Sequence, residues 1–166
     1  MYQVGERVVY GVHGVCRIVD DTVRIFDHQR IRYLVLEPLD QPGAKFYIPA
    51  EKPAVLAKLH PLLSKAELDR LLASEEVRNG SWIGDENQRK QYYRELICSG
   101  DRVAILRMIH LLYQHKREQQ KQGKKFHLCD ENFLKDAKKL LETEFSAVLG
   151  IEPQQVEDYV THALER

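Results

Sequence analysis

The chain has 166 residues, of which 43% are hydrophobic and 30% charged, with a formal net charge of zero. That is the composition of one ordinary soluble domain or two small ones. No apolar run approaches the roughly 18–20 residues of a membrane-spanning helix. The opening "MYQVGERVVYGVHG" lacks a charged segment followed by an apolar one, so no secretion signal is expected. The three cysteines, Cys16, Cys98 and Cys129, are odd in number and widely spaced, which fits reduced thiols in the cytoplasm better than a disulfide framework.

Residues 1–50 read as punctuated β structure. "RVVYGV" and "GVCRIVD" flank a "VHG" turn; "DTVRIF", "IRYLVLEPL" and "KFYIP" follow, separated by "DHQR" and "DQPGA". In the longest run Ile31, Tyr33 and Val35 alternate with Arg32, Leu34 and Leu36, so neither face is fully polar. Five short strands in about 50 residues predict a small bent sheet or SH3-like barrel, with edges open to a partner strand. Residues 51–63, "EKPAVLAKLHPLL", hold two prolines and read as a linker.

From residue 64 the period turns helical. Ser64 and Glu67 form a capping box ahead of "KAELDRLLA". A second helix is predicted over about 86–98, with Tyr92, Tyr93, Leu96 and Ile97 as its apolar set. "SGD" at 99–101 starts a third, carrying Val103, Leu106, Ile109, His110 and Tyr113 and stopping near Gly123. Asp130 reads as the cap of a fourth, which runs through Phe133, Leu134, Ala137, Leu140, Leu141, Phe145 and Val148 to Gly150. Pro153 opens a short fifth with Val156, Val160 and Leu164. The predicted class is α+β: a β domain over 1–50, a linker over 51–63, and an all-α domain of about five helices over 64–166.

Little in the chain points to catalysis. There is no glycine-rich phosphate loop and no Gly-x-Ser-x-Gly elbow. His110 and His115, five apart on a helix, do not share a face well. His127 and Cys129 lack a partner pair at ligand spacing. Cys98 and Cys129 lie beside apolar helical positions and read as small core residues. No enzyme, metal or cofactor is expected.

Charge is more informative. Residues 88–125 hold ten Lys and Arg against three Asp and Glu, whereas residues 126–166 hold four against nine. A concentrated basic stretch suits either a polyanion or a solvated helix face. Arg89, Lys90 and Arg94 lie on the second helix, followed by Arg102, Arg107, Lys116, Arg117, Lys121, Lys124 and Lys125. Such residues neutralise phosphates without sequence preference. Tyr92 and Tyr93 are better explained by packing between helices than by contacts to sugar or phosphate. The sole tryptophan, Trp82, sits in the polar segment "RNGSWIGDENQRK". Two roles are open to it: cover for the junction of the first two helices, which composition favours, or an apolar wedge beside the basic surface.

"VGERVVYGVHGVCRIVD" (4–20), "YLVLEPL" (33–39), "FYIPAEK" (46–52), "SW" (81–82), "SGD" (99–101) and "FLKDAKKLLETEFSAVLG" (133–150) resemble the CarD/CdnL family of bacterial transcription regulators. The opening motif also resembles the matching module of transcription-repair coupling factors, but the helical half makes the CarD/CdnL family the closer likeness. The resemblance implies that the β domain is a Tudor-like module binding the β subunit of RNA polymerase, and that the helical domain lies on promoter DNA. A tryptophan there wedges into the minor groove at the upstream edge of the melted region and supports the open complex.

Carried over position by position, the wedge falls on Trp82 and a polymerase-contacting basic residue on Arg24. A second polymerase-contacting position, an arginine in the family, is Tyr47 here. Arg89 aligns with a basic position of the DNA-facing helix. Gln88 and Gln91 replace residues often basic there, which leaves phosphate contacts to Lys90 and Arg94 as well. About four more residues separate Trp82 from "SGD" than in many members, roughly one helical turn, so the conformation of 83–86 decides where the indole points. The protein is expected to act as a cytoplasmic monomer without a membrane. The competing reading is a protein–protein adaptor with no DNA role.

Overall fold

The computed structural model describes residues 2–164, which divide after Leu62 into two compact units. The first is a five-stranded antiparallel sheet in the order β4-β3-β2-β1-β5. Its strands are β1 (Arg7–Tyr10), β2 (Val15–Phe26), β3 (Gln29–Pro38), β4 (Phe46–Pro49) and, after the one-turn helix α1 (Pro53–Leu56), β5 (Leu59–Pro61). The predicted strands "GVCRIVD" and "DTVRIF" are one long strand, β2, bent where its register against β3 shifts between Ile18 and Asp20. A bulge of this kind lets a strand turn without ending its ladder.

The fifth strand comes instead from the segment expected to be a linker. β5 pairs with β1 through Val9 and His60. Pro61 is tolerated because β5 lies at the sheet edge, where a missing backbone donor costs no ladder bond. Val8, Cys16, Ile18, Leu34, Leu36, Ile48 and Leu59 form the core on one face.

β2 and β3 join through a two-residue turn at Asp27 and His28, both with positive φ (49° and 62°). That conformation matches the natural twist of a hairpin, so the strands run on as a paired ribbon to Phe26 and Gln29. The ribbon outruns the core: Ile25 is 75% and Phe26 70% exposed.

The second unit contains α2 (Lys65–Ala73), a one-turn α3 (Glu75–Arg78), α4 (Glu86–Ser99), α5 (Arg102–Lys121), α6 (Leu128–Leu149) and α7 (Pro153–Leu164). The Ser64–Glu67 capping box forms in both directions. Gly100 closes α4 with φ 70°, and Asp101 then caps α5 by accepting from the Ala104 amide. The left-handed conformation at Gly100 carries no Cβ penalty, so two helices meet within two residues. Ile105, Met108, Ile109 and Leu112 of α5 pack with Phe133, Leu134, Ala137, Leu141 and Phe145 of α6 in one core that also takes Tyr93, Val156 and Val160.

Three expectations are corrected here. α6 begins after His127, not at Asp130, whose side chain is fully buried. Its stripe position, three and four residues before Phe133 and Leu134, turns it into the core. Cys98 is exposed and Cys129 only half-buried, because both lie off the apolar stripes of their helices. Among the described residues no helix is long and apolar enough to cross a membrane.

Candidate polymerase-facing and nucleic-acid-facing sites

On the face of the sheet opposite the core, Arg24 of β2 and Tyr47 of β4 meet across β3. The Arg24 guanidinium donates from Nη2 to the Tyr47 hydroxyl at 3.2 Å, and its Cζ lies 4.6 Å from the Tyr47 ring centroid. Tyr33 of β3 packs edge-on to Tyr47 at 6.2 Å. Two residues taken separately from the sequence thus form one basic-aromatic cluster, with Tyr33 a member that sequence reasoning did not single out. Beyond it, Ile25 and Phe26 extend apolar surface toward the hairpin tip. At the ribbon's base Arg32 and Asp21 form a two-point ion pair, whose hydrogen bonds hold the exposed Asp21 carboxyl below its usual range.

Trp82 lies in the loop between α3 and α4. The loop is packed closely against α5: a Cβ built at Gly80 would come within 2.9 Å of Arg107 Cδ and 3.0 Å of Leu111 Cδ1. Only glycine leaves that space. Arg107 donates from Nε to the Glu76 carbonyl at 2.7 Å, tying the end of the preceding helix to the same surface. At the loop's other end Asp85 caps α4 by accepting from the Gln88 amide at 2.8 Å. The segment 83–85 is therefore loop, and α4 starts at Glu86.

Within this frame the indole is half-buried against the helical core. Its ring stacks on the His115 imidazole, centroids 3.9 Å apart and planes 11° from parallel. The Arg89 guanidinium carbon sits 4.6 Å from the indole centroid. Phe126 lies 6.2 Å beyond His115, with Lys116 Nζ 5.8 Å from its ring.

Arg89 differs from its expected role. Only 4% of it is exposed, and its Nε and Nη2 donate to the two oxygens of fully buried Asp130 at 2.8 and 2.9 Å. Nη1 donates to the Ile83 carbonyl at 2.9 Å. Burial works against the Arg89 charge, but the Asp130 bonds and charge outweigh it and hold its pKa above the ordinary value. Arg89 is bonded to Asp130 and the Trp82 loop and buried, so its guanidinium is not presented at the surface where a phosphate would be met. It sets the position of the indole instead.

The same holds for much of the basic run. Lys90 pairs with Glu86 at 3.2 Å, Arg102 with buried Glu144, and Lys116 with Glu131 at 3.2 Å. Arg94, Lys121, Lys124 and Lys125 are exposed and unpaired with any acid among the described residues. Of the two tyrosines, Tyr93 is buried and its burial pushes the phenol up to about 12, whereas Tyr92 is 43% exposed. Asp130, His115 and Phe126 were not legible as parts of a site. A carboxylate on the apolar stripe of α6 was the available signal for Asp130.

Among the described residues, no group of three or more His, Cys, Asp or Glu is placed to hold a metal ion. The chain matches no curated protein significantly. Residues 2–60 match the family model of the CarD-like/TRCF RID domain, and they cover the sheet that carries Arg24, Tyr33 and Tyr47. The N-terminal unit thus matches a domain type that interacts with RNA polymerase.

Proposed function

We propose that this protein is a transcription regulator that binds the β subunit of RNA polymerase through its sheet and promoter DNA through its helical unit. Arg24 and Tyr47 supply the polymerase contact, and Trp82 acts as a minor-groove wedge at the upstream edge of the bubble. The observation that carries the DNA half is the mounting of Trp82. A lone indole is held in a loop by a buried ion pair and an aromatic stack, where a residue serving only to fill space needs neither. A wedge must be rigid to keep a base step unstacked, at a cost of about a few kcal/mol per step. The effect is differential binding: whatever contacts the open promoter better than the closed one shifts the equilibrium toward it. Exposed Arg94, and Lys121, Lys124 and Lys125 beyond His115, supply unspent charge for phosphates, with Lys90 joining them if Glu86 releases it.

The test is the lifetime of open complexes formed with RNA polymerase on a promoter containing a fork junction. Trp82→Ala shortens it while leaving binding to polymerase intact. An unchanged lifetime refutes the wedge.

One observation favours a second reading, an adaptor that binds polymerase and no DNA: Arg89, Lys90, Arg102 and Lys116 are all engaged by acids of the chain itself. The readings separate on duplex DNA. The regulator shows affinity falling with salt at a slope of about −0.9 per phosphate contacted; the adaptor shows none.

A further inference from the structure

His115 has no part in the function read from the sequence, yet among the described residues its ring makes the closest aromatic contact, 3.9 Å and 11° from parallel on Trp82. The Gln119 amide nitrogen lies 3.2 Å from His115 Nε2. A neutral ring with a bare Nε2 accepts from that amide. Every element around it bears on its charge. Burial disfavours the imidazolium, Arg89 of α4 and His127 ahead of α6 repel it, and Asp130 of α6 and Glu118 of α5 favour it; the sum lowers its pKa below the usual 6.5. Lys116, the next residue along α5, adds a further nearby cation. Protonation would turn Nε2 into a donor, force the Gln119 amide to flip, and set a cation near the Arg89 guanidinium.

We propose that His115 is the positioning residue of the wedge: its neutral imidazole fixes the plane of the Trp82 indole, and acid releases it. The proposal rests on Trp82 acting on DNA. The stack is present above pH 6.5 and is lost as pH falls through the lower value His115 has in the fold.

Because Trp82 is the only tryptophan, its emission reports on the stack in the intact chain without polymerase or DNA. Acrylamide quenching is measured between pH 5 and 8 on wild type, His115→Ala and His115→Phe, with far-UV circular dichroism to establish folding. Wild type becomes more quenchable as pH falls below 6.5. His115→Ala is more quenchable at every pH, by about two-fold or more. His115→Phe, which keeps a flat ring and cannot titrate, stays protected throughout. Open-complex lifetimes follow the same order: His115→Ala shortens them on the order of fivefold, the worth of one aromatic stack, and His115→Phe restores them.

Equal quenching in wild type and His115→Ala, or a pH transition persisting in His115→Phe, overturns the proposal. If His115→Ala fails to fold, the His115→Phe titration still decides it. A lifetime unmoved by Trp82→Ala overturns the wedge reading itself. A lifetime shortened by Trp82→Ala yet unmoved by His115→Ala overturns the positioning role alone.

Discussion

Asp130→Ala probes the mount of Trp82 at its root. Arg89 is 4% exposed and Asp130 fully buried, joined by two hydrogen bonds of 2.8 and 2.9 Å. Removing the carboxylate leaves a guanidinium in the protein interior with only the Ile83 carbonyl as acceptor. Stripping one partner from a buried pair costs about 3–5 kcal/mol, against a total stability of about 5–15 kcal/mol for a domain. The midpoint of thermal unfolding should fall by about 15 °C or more. Urea denaturation followed by far-UV circular dichroism reads the loss directly. The double variant Arg89→Met/Asp130→Leu should recover most of the stability, because replacing a buried pair by apolar groups of similar volume is often neutral. It should not recover Trp82, whose loop loses the bond to Ile83, so acrylamide quenching stays high. A loss below about 1 kcal/mol in Asp130→Ala, the worth of a surface pair, would refute the argument that this ion pair is buried and central.

Gly80→Ala places a methyl 2.9 Å from Arg107 Cδ and 3.0 Å from Leu111 Cδ1. It should cost about 1–3 kcal/mol in urea denaturation and raise the quenching of Trp82 as the loop lifts from α5; wild-type values for both would show that the space is larger than described. Arg24→Glu breaks the contact with Tyr47 and reverses the charge of the cluster proposed to meet polymerase. It should weaken binding to the isolated β lobe by about tenfold or more, measured calorimetrically at two salt concentrations, and unaltered affinity would remove Arg24 from the interface.

The sheet was readable because alternation along 31–36 and glycine-bearing turns report strand direction and ends locally. β5 was not, since Pro53 and Pro61 read as a linker unless the strand is known to lie at an edge, and edge position is set by pairing with distant β1. The helices followed from spacing and caps: Ser64 with Glu67, Asp101 and Pro153 each stand where an end is observed. Asp130 was misread for the same reason, as a residue type that favours caps. Its true partner, Arg89, lies 41 residues away in the sequence, where local rules carry no information. Trp82 divided between its two readings: the indole packs on the helical core, as cover for a helix junction would, and lies half-buried in a loop against buried Arg89. The positive run at 88–125 counted charges but not their internal acids, and only tertiary structure distinguishes spent from unspent lysines and arginines.

The central claim is that Trp82, carried to the promoter by the polymerase-bound sheet, holds the bubble open. It is tested most directly by the decay of preformed open complexes after a competitor is added, with wild type and Trp82→Ala compared at equal polymerase occupancy. The account predicts slower decay with wild type and decay close to that of polymerase alone with Trp82→Ala. Identical decay for the two proteins, both bound to polymerase, would contradict it.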